Sequence, residues 1–121
     1  MIIYFILFRA IAEFLLLCQY RIYLLFDFKE HDHGFRSLGC WKDSFDRAVP
    51  GFQGNLIVNG SNILGCYERA ESLGFDIFAV QFGGECYTSL GASKSYNKYG
   101  PSSDCVSGTG GPLANDVYLR G

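Results

Sequence analysis

The sequence predicts a small α+β domain held by disulfides. One main helix packs on a short, mostly antiparallel sheet with long loops. Three observations carry this. Residues 63–73 repeat apolar side chains at helical spacing and end at a glycine. Short apolar runs bounded by Gly, Pro, Asn and Ser flank that helix on both sides. Four cysteines, Cys40, Cys66, Cys86 and Cys105, are spread widely over residues 34–121 with no Cys-x-x-Cys pair. That usage fits two disulfides in a secreted domain better than a zinc site. Spacing alone leaves three connectivities open.

The domain begins near residue 34. All 15 glycines and all three prolines of the 121-residue chain lie at or beyond Gly34. So do every serine and threonine. Of residues 1–28 only Arg9, Glu13, Gln19, Arg21 and Asp27 are polar, which makes residues 1–33 an apolar leader. A signal peptide is one reading, although no basic stretch precedes the apolar run and no small-x-small cleavage site follows it. Membrane attachment through residues 1–28 is a second, with Arg9 and Glu13 able to pair at i and i+4. Translated sequence that does not belong to the protein is a third, and a structural helix a fourth. Cys18 lies in this leader, where lipidation, an interchain bridge and plain burial are all open.

The elements of the domain follow in order. Residues 35–41 read as an opening strand leading into Cys40. Residues 42–54 read as a loop, with Pro50-Gly51 as its turn. Leu56-Ile57-Val58 is a short apolar run closed by Asn59-Gly60. Ser61 or Asn62 caps the helix, on which Ile63, Cys66, Tyr67, Ala70 and Leu73 share a face. Glu68, Arg69, Glu71 and Ser72 take the other face, and Gly74 ends it. Residues 75–82 form a strand with both faces apolar: Phe75, Ile77 and Ala79 against Phe78, Val80 and Phe82. Such a strand is central and covered on both sides. Gly83-Gly84 breaks it, and residues 85–89 make a second short strand carrying Cys86. Residues 90–112 have the texture of a loop. Residues 115–120 close the domain with a strand paired to the opening one.

Charge and residue content exclude several functions. Ten basic against 12 acidic residues give a net charge of −2, with no basic surplus to neutralise nucleic-acid phosphates. No polybasic run suits an anionic membrane surface. His31 and His33 flank Asp32 outside the domain and read as solvated linker, with no metal assigned. Residues 34–121 contain no histidine, so neither a Ser-His-Asp nor a Cys-His apparatus can be built there. Asp43 with Asp46, or Glu85 with Asp104, are conceivable carboxylate pairs, but surface acids are the plainer reading. Residues 108–111 are glycine-rich without a following helix and read as a turn. The sequence therefore predicts no enzyme and no cofactor. Asn59-Gly60-Ser61 is an N-glycosylation acceptor, which fits an extracellular domain.

Gly39-Cys40-Trp41-x-Asp43, the helical Cys66, Gly74-Phe75, Gly83-Gly84-Glu85-Cys86-Tyr87, Asp104-Cys105, Gly110-Gly111 and Val117-Tyr118 occur in one order. In that order and spacing the chain resembles the WSC family over about residues 38–119. It departs from the family by keeping four of the usual eight cysteines. Ala70 and Thr88 stand where the family has two cysteines bonded to each other, and the last family pair is absent too. The resemblance thus implies the pairs Cys40–Cys105 and Cys66–Cys86. Residues 96–102 and the tail 110–118 are not general features of the family and look like a divergent subgroup of extracellular invertebrate modules. The resemblance further implies carbohydrate recognition, with a glycan or cell-surface glycoprotein as partner, in a protein secreted or displayed on the outer face of the plasma membrane.

Sugar recognition needs aromatic faces beside planar polar groups. Trp41, Tyr87, Tyr96 and Tyr99 are candidate platforms, and Asn97, Lys98 and Asp104 candidate polar partners. Each aromatic has the alternative of half-buried packing, since Tyr and Trp carry a large apolar area with a polar tip. The competing class is a protein–protein adhesion or receptor module, whose aromatics form a contact patch.

Overall fold

The computed structural model describes residues 34–121. The leader, Cys18, His31, Asp32 and His33 lie outside the described residues, together with every reading made of them. Within 34–121 the elements are β1 (Phe35–Lys42), β2 (Phe52–Asn55), α1 (Asn62–Leu73), β3 (Ile77–Gln81), β4 (Glu85–Thr88) and β5 (Ala114–Arg120), with a 3-10 turn at Ala92–Lys94. The strands form one sheet in the order β1-β5-β3-β4-β2, each neighbour antiparallel. This is the α+β arrangement the sequence predicts.

Local chemistry explains the helix at both ends. Asn59 and Gly60 both have positive φ, 50° and 74°. They form the two-residue turn that suits Asn-Gly. Val58 and Ser61 exchange backbone hydrogen bonds of 3.1 and 2.9 Å across it. Ser61 then caps α1, its Oγ accepting from the Leu64 N–H at 3.1 Å. At the other end Gly74 is left-handed at φ 73°. The Gly74 N–H donates to Glu71 O and the Phe75 N–H to Ala70 O, which satisfies two carbonyls the helix leaves open.

The sheet is covered on both faces. On one, Cys66, Tyr67 and Ala70 of α1 meet Phe78, Val80, Cys86 and Tyr118, with Phe35, Leu56 and Ile63 at the margin. Phe78 stacks on Tyr118 with ring centroids 5.1 Å apart. On the other face no α-helix among the described residues covers the sheet. There Val49 and Ala92, from the loops after β1 and β4, close over Ile77, Ala79, Tyr87 and Val117, with Leu38, Trp41, Tyr96 and Leu119 around them. β3 is buried along its whole length, as expected of a strand apolar on both faces. Disulfide Cys66–Cys86 ties α1 to β4, and Cys40–Cys105 ties β1 to the loop before β5. This is the pairing the resemblance implies. Disulfides are the signature of an oxidising environment. Among the described residues no helix is long and apolar enough to cross a membrane.

Three expectations are corrected. Residues 52–55 form an edge strand, not loop; β2 pairs with β4 through a register shift between Phe52 and Gly54. Its four residues include Gly54 at φ 96°, so no alternation announces it. β3 stops at Gln81, and Phe82 turns outward at φ 50° with 63% of its surface exposed. Leu73 ends α1 beyond the sheet and is exposed. Gly65, which no pattern singles out, is buried where α1 crosses the chain at Leu56: a Cβ there would lie 2.2 Å from Leu56 O.

Candidate ligand-binding cleft

A cleft of about 270 Å³ opens at the β3–β4 turn, on the loop-covered side of the sheet. Phe45, Arg47, Gln81, Phe82, Glu85, Pro112 and Leu113 line it. The antiparallel register puts Gln81 opposite Glu85 and Ala79 opposite Tyr87, so Gln81, Glu85 and Tyr87 project to this one face. Phe45 and Arg47 come from the loop after β1. Pro112 and Leu113 come from the turn before β5.

Asp43 organises the polar half. Its side chain is 1% exposed and accepts three hydrogen bonds. These come from Ala48 N–H at 2.9 Å, Arg47 Nη1 at 2.9 Å and Gln81 Nε2 at 2.7 Å. Arg47 Nη1 also donates to Gln81 Oε1 at 3.1 Å. The result is a closed ring of three side chains, each fixed by the other two. The hydrogen bond to Asp43 raises the Arg47 pKa, against the desolvation that lowers it. The guanidinium lies over the Tyr87 ring at 5.2 Å and the Phe45 ring at 5.8 Å. The Tyr87 hydroxyl donates to Glu85 Oε2 at 3.0 Å. Burial first, and the Glu85 bond second, push the Tyr87 phenol up.

The apolar half is held in an unfavoured backbone. Phe82 and Leu113 have φ of 50° and 48°, a region bulky residues rarely occupy. Both line the cleft. Phe82 N–H donates to Gly111 O at 3.3 Å, Gly83 N–H to Thr109 O at 2.9 Å, and Asp43 N–H to Leu113 O at 2.9 Å. These bonds fix the two turns to each other and to the Asp43 ring. Phe45 stands 86% exposed at the rim.

The residues the sequence singles out fall mostly elsewhere. Trp41 and Tyr96 are half-buried and meet edge to face at 5.5 Å, with Trp41 Nε1 donating to Leu38 O. That is packing against the core. Tyr99 is half-buried, its hydroxyl bonded to Asp46 O at 2.5 Å, and Lys98 pairs with Asp46 at 3.3 Å over the Tyr99 ring. The bond to Asp46 raises the Lys98 pKa. Asn97 is exposed beside them. Asp104 is exposed on the separate loop that carries Cys105. Only Tyr87 touches the cleft's machinery, beneath Arg47. The carboxylates considered for acid–base work are not brought together. Asp43 is held by Arg47 and Gln81, whereas Asp46 pairs with Lys98; Glu85 sits in the cleft, and Asp104 stands on its own loop. Residues 107–111 form a turn whose Gly110 N–H donates to Asp116 Oδ2 at 2.8 Å. Among the described residues no group of three or more His, Cys, Asp or Glu side chains is placed to hold a metal.

Sequence reasoning missed Phe45, Arg47, Gln81, Phe82 and Leu113. Two signals were present. Asp43 and Arg47 stand four apart, and Gln81 is an amide ending an otherwise apolar central strand, which demands a buried partner. Compared with known families and curated proteins, the chain matches no family model and no curated protein.

Proposed function

We propose that this chain is an extracellular recognition module that binds carbohydrate in the Phe45–Phe82 cleft. One observation carries the reading: exposed aromatic and aliphatic walls flank two planar polar groups, Arg47 and Glu85, which Asp43, Gln81 and Tyr87 hold in fixed orientations. A sugar ring presents C–H faces and a rim of hydroxyls, which need that combination. Fixed polar groups in a concave apolar surface are also the general form of a small-ligand site. The likeness to WSC domains points to the same ligand class. An extracellular setting is supported by the two disulfides. It is also supported by Asn59, which displays its glycosylation triplet at the exposed tip of a turn. The apolar leader serves as secretion signal or membrane anchor in this reading.

The exposed Phe45, Phe82 and Leu113 favour a second reading, a protein-adhesion patch. The two separate in one experiment. The full chain, expressed in an oxidising secretory host and shown to be folded, is applied to a glycan array. The proposal expects binding to one glycan class, lost in Phe82→Ala and kept in Tyr99→Ala. Cell binding that no soluble sugar releases, together with a blank array, supports the adhesion reading instead.

A further inference from the structure

We infer that the cleft selects neutral sugars bearing adjacent hydroxyls and disfavours acidic ones. The inference rests on the carbohydrate reading and sharpens it.

The charges at the cleft are two carboxylates, Asp43 and Glu85, against one guanidinium, Arg47. Arg47 is neutralised by Asp43 at 2.9 Å, and its Nη1 is spent on Asp43 and Gln81. A sugar carboxylate therefore meets no unpaired positive charge. It meets Glu85 instead, whose repulsion disfavours it.

A neutral diol fits what is left. Arg47 has five N–H groups. Those on Nε and Nη2 have no protein acceptor among the described residues and can donate to a hydroxyl oxygen. Glu85 Oε2 accepts from Tyr87, which leaves Oε1 to accept a hydroxyl hydrogen. Phe82, Pro112 and Leu113 supply an apolar wall for the ring face. Gln81 has both ends of its amide committed, to Asp43 and Arg47. It is a positioning residue, not a ligand.

The test titrates the full chain with neutral and acidic probes at matched ionic strength. They are neutral hexose and N-acetylhexosamine oligosaccharides and a uronate oligosaccharide. Phe82→Ala serves to locate the site. The expected result is a neutral glycan bound at least about tenfold tighter than the uronate, in keeping with the cost of like-charge contacts. Glu85→Gln should weaken the neutral glycan and narrow the gap to the uronate. Tighter binding of the uronate, lost in Phe82→Ala, overturns the inference and leaves the carbohydrate reading standing. Binding of no glycan by the folded chain overturns both. Neutral binding that survives Phe82→Ala places the site elsewhere and overturns the inference.

Discussion

Asp43→Ala removes a carboxylate that is 1% exposed and accepts hydrogen bonds from Ala48 N–H, Arg47 Nη1 and Gln81 Nε2. Hydrogen bonds to a charged acceptor contribute about 1.5–3 kcal/mol each, and a buried donor left alone costs about 1–3 kcal/mol. The Arg47 share is the smallest, because its side chain is 27% exposed and water can replace the lost partner. Ala48 and Gln81 are buried and have no such recourse. The total comes to about 3–4 kcal/mol, within the range of about 3–5 for breaking a buried ion pair from one side. In a domain of this size that lowers Tm by on the order of 15–25 °C. Asp43→Asn keeps one acceptor oxygen for Ala48 and should cost less, about 2 kcal/mol. The assay is thermal and urea unfolding of the oxidised protein followed by far-UV circular dichroism. A loss below about 1 kcal/mol for Asp43→Ala would refute the claim that this ring holds the cleft together.

The glycines, the two bridges and Tyr118 give further expected outcomes. Gly65→Ala should cost at least about 2 kcal/mol, since its Cβ would lie 2.2 Å from the Leu56 carbonyl oxygen. Gly74→Ala faces open space and should cost only the left-handed penalty of about 1 kcal/mol, both read by urea denaturation. Removing the Cys66–Cys86 bridge, of sequence separation 20, should cost about 3 kcal/mol by chain entropy, and removing Cys40–Cys105, of separation 65, more than about 4. Under mild reductant, mass mapping should find Cys40–Cys105 opened first, because Cys66 and Cys86 are wholly buried. Burial, and secondarily the charge of Asp116, pushes the Tyr118 phenol up to about 12. The unfolded value is about 10. Folding therefore favours the protonated phenol. This contribution is intact below pH 10 and is lost as pH rises toward 12. Absorbance titration at alkaline pH should show Tyr118 among the tyrosines that lag until the protein unfolds, and Tyr118→Phe should reduce the lagging amplitude by one phenol.

The fold was legible where local chemistry and global packing agree. The α1 spacing of Cys66, Tyr67 and Ala70, with the Ser61 cap and the Gly74 stop, is written in neighbouring residues. So is the doubly apolar pattern of β3. Strand β2 was illegible because an edge strand with Gly54 in its middle carries neither alternation nor bulk. Gly65 could not be read because its neighbour, Leu56, approaches it only in the folded chain. The site was illegible for the same reason. Asp43 and Gln81 are 38 residues apart and become partners only through the sheet. Phe82 reads as the last apolar residue of a strand, and only its left-handed backbone turns it outward. Aromatic richness drew attention to Tyr96 and Tyr99, yet Trp41 and Asp46 engage them. Composition shows how many aromatics a chain has, not which of them the packing leaves uncovered.

The central claim is that the cleft between the β3–β4 turn and the loop after β1 is the binding surface. The most direct test is amide chemical-shift mapping of the full chain, titrated with the best neutral glycan from the array. The account predicts shifts concentrated at residues 45–47, 81–85 and 112–113, with those at 96–99 unmoved. Shifts centred on residues 96–99, or no shifts at saturating sugar, would contradict it.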